Sequence, residues 1–276
     1  MLKITKIVLA LLTVVLAGLF ALRFVQKRFF TDNTPPVISF DSDVFEISVH
    51  TKDEKLLSGV TALDNRDGDL SAQVAVKSIS KLVGKDTAKI TYIVFDSADN
   101  MATATRTLRY TDYKKAEFRL SKPLVFEPGA TVTLKDRLSA HDVIDGDITP
   151  AIKITATALN NTTEGTYPVA VQVTNSLGDT SAVSLTVTIK KHGIYDPYIE
   201  LTDYLVYADK GASFEPMEYI KSVWDIKQGG KEIFSWGDVA LETDLDTGVS
   251  GEYDVKYTYT NEKGYSYSAI LTVVVQ

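Results

Sequence analysis

The sequence predicts an all-β chain of three tandem β-sandwich modules after an N-terminal transmembrane helix. Three observations predict it. An eight-residue pattern, Ala-x-Asp-x-x-Asp-Gly-Asp, occurs at residues 62–69 and again at 140–147, 78 residues apart. Recurrence at one domain length marks a repeat architecture, which outranks any local motif. Residues 87–95, 166–174 and 252–260 alternate apolar and polar side chains and run up to Asp96, Asn175 and Asn261. That alternation belongs to a strand with one buried face. Beyond residue 30 no helical period is evident, and turn signals recur every ten residues or so, the pattern of a sandwich.

The first element is residues 7–22, an apolar run with Lys3 and Lys6 before it and Arg23, Lys27 and Arg28 after it. Sixteen helical residues reach roughly 24 Å, short of a hydrocarbon core of about 30 Å. Extending the run to residues 2–25, with Lys6 and Arg23 snorkelling, closes the gap. A cleaved secretory signal competes with an uncleaved signal anchor. Cleavage favours two closely spaced small residues. The candidate at Gly18 to Ala21 places a bulky side chain at one of them and is followed by Arg23. The expectation is therefore an anchor over residues 1–30, with everything after it extracellular.

Net charge is −7, but all 36 acidic residues follow residue 31 while five of the 29 basic ones precede residue 29. The remainder, 24 basic against 36 acidic, is near −12. Such a surface repels phosphate backbones, which argues against nucleic-acid binding. Cysteine is absent, which excludes thiolate chemistry and any disulfide framework. A disulfide-free extracellular array fits a bacterial surface of the Gram-positive kind.

Each module then follows one plan. An alternating strand leads to a four-residue turn, at residues 96–99, 175–178 and 261–264, and a second strand returns over 102–110, 180–189 and 265–275. Asp96, Asn175 and Asn261 open these turns by bonding nearby backbone. Gly178 and Gly264 supply positive φ at their ends, where Asp99 must do the same. Linkers at residues 31–36, 110–116 and 190–197 set the boundaries: domain 1 over 31–112, domain 2 over 113–191 and domain 3 over 192–276. The joints are short, so limited flexibility is expected between modules.

An opening Asp-x-x-Pro-Pro at Asp32, the two Asp-Gly-Asp blocks, and the Gly165-Thr166-Tyr167 strand with its Asn175-Ser176 turn resemble the bacterial Ig-like domains of the pesticidal crystal protein type. Domains 1 and 2 carry this resemblance, with Asp86-Thr87-Ala88 as the first domain's departure from it. Domain 3 lacks the block. Its residues 237–240 and 246–253 are similar to bacterial Ig-like domains of the group 3 type. The resemblance implies Ig-like sandwiches in surface proteins that act as stalks, spacers or adhesion modules. It implies no catalytic activity.

The Asp-Gly-Asp blocks are the candidate metal sites. Clustered carboxylates are the hard oxygen ligands Ca²⁺ prefers, and Asp64, Asp67 and Asp69, with Asn65 beside them, or Asp142, Asp145 and Asp147, could supply several. The competing reading makes them tight turns, with Gly68 or Gly146 at positive φ and the aspartates bonding backbone amides. That reading leads. Asp32 and Asn33, with Asp96, Asp99 and Asn100, form a second group able to approach the first block. Ten of the 14 tyrosines and both tryptophans follow residue 190. Tyr253, Tyr257 and Tyr259 share the inward face of one strand and are read as core. Trp224, Phe234 and Trp236 lie outside the clean hairpin and are the candidate partner-binding residues.

His50, His141 and His192 are widely separated, and no strained nucleophile turn or Gly-rich phosphate loop accompanies them. The chain is expected to be no enzyme. Its expected role is a membrane-anchored stalk and adhesion module with domain 3 as binding tip, its partner a surface protein. The alternative is a carbohydrate or cell-wall binding accessory. No cofactor is expected apart from the calcium reading above.

Overall fold

The computed structural model describes residues 11–24, 32–51, 53–225 and 236–276. Residues 11–24 form a helix whose side chains are exposed. Among the described residues no helix is long and apolar enough to cross a membrane. The remainder of the expected anchor, residues 1–10 and 25–30, lies outside the described residues, as does residue 31.

The chain divides into two compact units, residues 1–112 and 113–276. The first holds one sandwich. Strands β1 (Val37–Phe40), β3 (Val60–Asp64) and β4 (Gly68–Asp69) form a small sheet. Strands β2 (Val44–Ile47), β7 (Met101–Tyr110), β6 (Thr87–Phe95) and β5 (Ala75–Ile79) form the larger one, in that order. The β6–β7 hairpin spans the pairing from Thr87 opposite Arg109 to Phe95 opposite Met101, as the alternation predicts. Ala88, Ile90, Tyr92 and Val94 point inward and are fully or almost fully buried. Strand β2 runs parallel to β7, a pairing its four-residue length does not announce in sequence.

One core residue is unexpected. Arg106 is buried with the phenol of Tyr92. Its guanidinium lies 4.1 Å from the Phe45 ring and 5.3 Å from that of Phe40. It donates to the Tyr92 hydroxyl (2.9 Å) and to the Ser58 carbonyl (2.7 Å), and the Tyr92 hydroxyl donates to the Leu56 carbonyl (2.7 Å). A buried charge is tolerated only when its donors are met in this way.

The second unit repeats the plan twice. In domain 2, β8 (Glu117–Leu120), β10 (Leu138–Asp142) and β11 (Gly146–Asp147) form the small sheet. The large one is β12 (Lys153–Thr157), β13 (Gly165–Thr174), β14 (Thr180–Ile189) and β9 (Val125–Phe126). In domain 3, β15 (Tyr198–Leu201) pairs with β17 (Ile220–Trp224). Opposite them lie β16 (Leu205–Ala208), β20 (Ser266–Val275), β19 (Gly251–Thr260) and β18 (Val239–Thr243). Val255, Tyr257 and Tyr259 are buried on the inner face of β19, with Tyr253 partly so.

These two sandwiches share one continuous apolar core. Leu120, Leu124 and Phe118 of one belong to the same cluster as Tyr204, Leu205 and Tyr267 of the other. Polar bonds add register. The Phe118 amide donates to the Tyr207 hydroxyl (2.8 Å), the Ser184 amide to Glu252 (3.0 Å), and the Thr186 hydroxyl to Asp254 (2.6 Å). The outward faces of β14 and β19, read from alternation alone as solvated, are therefore partly used between the domains.

Burial pushes the Tyr207 phenol up to about 12 and also raises Tyr204, Tyr257 and Tyr267. An unfolded tyrosine ionises near 10. Between about pH 10 and pH 12 the unfolded chain releases tyrosyl protons that the folded unit keeps, so stability falls as pH rises. The melting temperature of the 113–276 unit is expected to drop steeply across that interval. Tyrosinate absorbance should lag behind that of free tyrosine until unfolding, which a parallel optical and thermal titration checks.

Candidate functional site

The Asp-Gly-Asp blocks fold as turns. Asp64 Oδ1 accepts the amides of Arg66 (2.8 Å) and Asp67 (2.9 Å), and Gly68 takes a φ of +74°. The Asp67 carboxylate crosses to the β6–β7 turn and accepts both the amide and the hydroxyl of Ser97 (2.6 and 2.9 Å). Asp69 Oδ1 accepts the Ser71 amide and hydroxyl (2.9 and 2.5 Å). Domain 2 repeats each role. Asp142 Oδ1 accepts the amides of Ile144 and Asp145, Asp145 holds Ser176, and Asp147 holds the Thr149 amide. Gly146 has a φ of +71°. Asp64 is held below the usual carboxylate range chiefly by the Asp67 amide, Asp69 by the Ser71 hydroxyl, and Asp147 by the Thr149 hydroxyl.

The proposed ligand triplets are thus not brought together as triplets. Asp67, Asp69, Asp145 and Asp147 spend their carboxylates on backbone and hydroxyl donors within the loops. Among the described residues the one group of three acidic donors within 4.8 Å of one another is Asp32, Asp64 and Asp96. Asp32 and Asp96, from the second group expected to approach the first block, reach Asp64 from a linker and from a different turn, which spacing within one block does not show.

The residue that opens each hairpin turn also meets the end of the small sheet. Asn175 holds the Asp179 amide on its oxygen, while its Nδ2 donates to Asp142 Oδ2 (3.1 Å) and to the Tyr113 hydroxyl (2.9 Å). Asn261 does the same in domain 3, with Nδ2 donating to Asp225 Oδ1 (3.3 Å) and to the Tyr195 carbonyl (3.5 Å). Asp225 therefore fills the place of the missing block's first aspartate. Asp142, Asn175, Asp225 and Asn261 are all buried. Asp99, at a φ of +64°, occupies the positive-φ place that Gly178 and Gly264 hold elsewhere.

A second feature lies between domains 2 and 3, inside the 113–276 unit. A cleft of about 700 Å³ is lined by Thr166, Thr186 and Thr188 on one side and by Glu242, Asp244 and Lys256 on the other, with Lys190 and His192 of the linker at its edge. That volume falls in the usual range for small-ligand pockets. Lys256 pairs with Glu242 (3.0 Å), and Asp254 receives the hydroxyls of Thr186 and Thr272. The His192 ring stacks on Tyr267 with centroids 5.7 Å apart. His141 sits exposed on β10, outside this cleft. Neither the cleft nor its residues follow from sequence, since each strand contributes only one or two ordinary polar side chains.

Of the aromatic candidates, Trp224 is 38% exposed and its indole N–H donates to the Ser222 hydroxyl (2.7 Å). Phe234 and the Trp236 side chain lie outside the described residues.

No protein-family model matches the chain. It is 26% identical over 231 residues to the pesticidal crystal protein Cry22Aa of Bacillus thuringiensis, which agrees with the resemblance seen in domains 1 and 2. The match covers 79% of this chain but 30% of that protein. Similar solved structures include two from Clostridium perfringens ZmpB. One holds the M60 catalytic domain with CBM51-1 and CBM51-2, at 14% identity and a TM-score of 0.25 over 87% of this chain and 30% of that one. The other holds CBM51-2 in complex with GlcNAc and the INT domains, at 17% identity and a TM-score of 0.23 over 87% and 42%. A protocadherin gammaB7 cis-dimer structure covers 88% of this chain and 74% of its own, at 13% identity and a TM-score of 0.19. The sandwich assignment rests on the strand pairing itself.

Replacing Asn175 tests the latch in domain 2. Asn175→Leu leaves Asp142 Oδ2 buried without its donor, and unfolding free energy is expected to fall by about 2 kcal/mol. Asn175→Asp sets two carboxylates face to face, so it should destabilise at pH 7 and recover as pH falls and one of the pair protonates. Denaturant melts of the two variants at pH 7 and pH 4 check both signs.

Proposed function

We propose that this chain is a non-enzymatic, surface-displayed interaction protein. Residues 113–276 form its binding body, and domain 1 spaces that body from an N-terminal membrane anchor. The apolar run at residues 7–22, with basic residues on both flanks, supports the anchor. The acidic, cysteine-free remainder supports display outside a bacterial cell. The similarity to a pesticidal crystal protein supports a modular role, and the chain spans under a third of that relative's length.

The cleft between domains 2 and 3 carries the choice of ligand class. Threonine hydroxyls, the carboxylates of Glu242 and Asp244 and the ammonium of Lys256 line one ligand-sized space. Convergent hydroxyl, carboxylate and ammonium groups recognise a hydroxyl-rich ligand by paired donors and acceptors, which favours a cell-wall glycan. Both walls belong to a unit with one core, so the space is held open without ordering cost on binding. A protein partner docked on Trp224 is the second reading, supported by that ring's exposure at the end of β17.

Affinity electrophoresis or calorimetry of the full chain against solubilised cell-wall polysaccharide separates them. Asp244 and Lys256 are exposed at the cleft. The double variant Asp244→Ala, Lys256→Ala is expected to keep its melting temperature and lose about tenfold or more in affinity. Unchanged affinity in that variant rejects the cleft. Loss in Trp224→Ala instead assigns the binding to the tip.

A further inference from the structure

We infer that domain 1, alone of the three, holds a hard divalent cation, calcium, between Asp32, Asp64 and Asp96. This goes beyond the proposed binding role and does not depend on it. The observation that carries it is an orphan. Asp64 is 9% exposed, its Oδ1 is fixed by turn amides, and its Oδ2 is buried with no hydrogen-bond partner. A buried carboxylate oxygen without a donor is costly.

The other domains show what that oxygen normally meets. In domain 2 the equivalent Asp142 Oδ2 takes the amide of Asn175, and in domain 3 Asp225 takes the amide of Asn261. At that position domain 1 has Asp96, which offers no donor. A third carboxylate, Asp32, closes the group, and its side chain is also only 9% exposed. Domain 1 has thus replaced a neutral amide that donates with a charged group that only accepts, and added another acceptor beside it.

All three side chains are already oriented. Asp32 Oδ1 accepts the Thr34 amide (2.9 Å), and Asp96 Oδ1 accepts the amides of Ala98 and Asn100 (2.8 Å each). The Asn100 side-chain amide donates to Asp96 Oδ2 (2.7 Å) and to the Asp32 carbonyl (3.2 Å). Among the described residues one positive group compensates within the cluster, Arg66, whose Nε lies 3.6 Å from Asp32 Oδ2. Three carboxylates against one guanidinium leave two negative charges, the charge of one divalent ion. Carboxylates packed this closely repel one another unless a cation lies between them. Oxygen-only donors of this kind suit Ca²⁺, which accepts irregular geometry and completes its shell with water, better than the strict octahedron of Mg²⁺. Bound there, the ion ties the linker at Asp32 to the β3–β4 and β6–β7 turns.

The test is calcium chloride titrated into chelator-stripped full chain in mild detergent at pH 7, read by calorimetry and thermal melting. Wild type is expected to bind one ion per chain, and 1 mM Ca²⁺ to raise the melting temperature of domain 1 by on the order of 10 °C over chelator. Asp96→Asn installs the residue the other domains carry, so it should fold. It is expected to melt at least as high as wild type in chelator, to lose calcium affinity by about a hundredfold, and to show no calcium-dependent shift. Asp147→Asn should bind as wild type. The inference is overturned if wild type neither binds nor shifts, or if wild type gains stability only as pH falls towards 5, which assigns a shared proton. Retained one-to-one binding in Asp96→Asn also overturns it, by placing the ion elsewhere.

Discussion

Every sandwich in this chain depends on one buried carboxylate at the end of the small sheet. Asp64, Asp142 and Asp225 sit where a strand leaves that sheet, within reach of the hairpin turn of the opposite sheet. In the first two, one oxygen caps the turn that follows. The partner across the gap, Asp96, Asn175 or Asn261, opens the hairpin turn and bonds its own backbone. One pair of side chains thus fixes two turns and clasps two sheets at one end. Without it the hairpins would still alternate correctly, but in domains 1 and 2 the polar tie between the ends of the sheets would fall to the Asp67–Ser97 and Asp145–Ser176 bonds.

The hairpins were legible because burial imposes a period of two on each strand. The inward set Ala88, Ile90, Tyr92 and Val94, and the set Val255, Tyr257 and Tyr259, are read directly from alternation. The positive φ at Gly68, Gly146 and Asp99 was legible because few residues tolerate it. The parallel strands β2, β9 and β16 were not, since two to four residues carry no period. Arg106 was not either. Its place in an alternating strand marks it as inward, but nothing local says that Leu56, Ser58 and Tyr92 will receive its donors.

The site residues divide along the same line. Recurrence pointed to the Asp-Gly-Asp blocks, and each block does fold as one unit. Recurrence by itself favours what the copies share, which here is turn formation. What distinguishes the copies lies outside the block, in Asp96 against Asn175 and Asn261 and in Asp32 against Tyr113. These residues are 32 or more positions from Asp64 or Asp142, except where Tyr113 closes domain 2 from its own linker, 29 positions before Asp142. The inter-domain cleft is less legible still. Its threonines, carboxylates and lysine occupy outward positions that alternation assigns to solvent, and only the shared core of residues 113–276 turns two such faces towards each other.

That shared core also bears on how the three modules divide their work. Domains 2 and 3 are joined by apolar burial, which acts at all salt concentrations and cannot be released by a local charge change. Their latches are amide-to-carboxylate bonds, complete within the protein. Domain 1 stands as its own unit, and its latch consists of acceptors facing acceptors. A difference of one side-chain group, oxygen for nitrogen at residue 96, converts a self-sufficient clasp into one that needs an external positive charge. The joint between domains 2 and 3 is then constitutive, whereas the attachment of the linker to domain 1 follows the divalent cation in the surrounding solution.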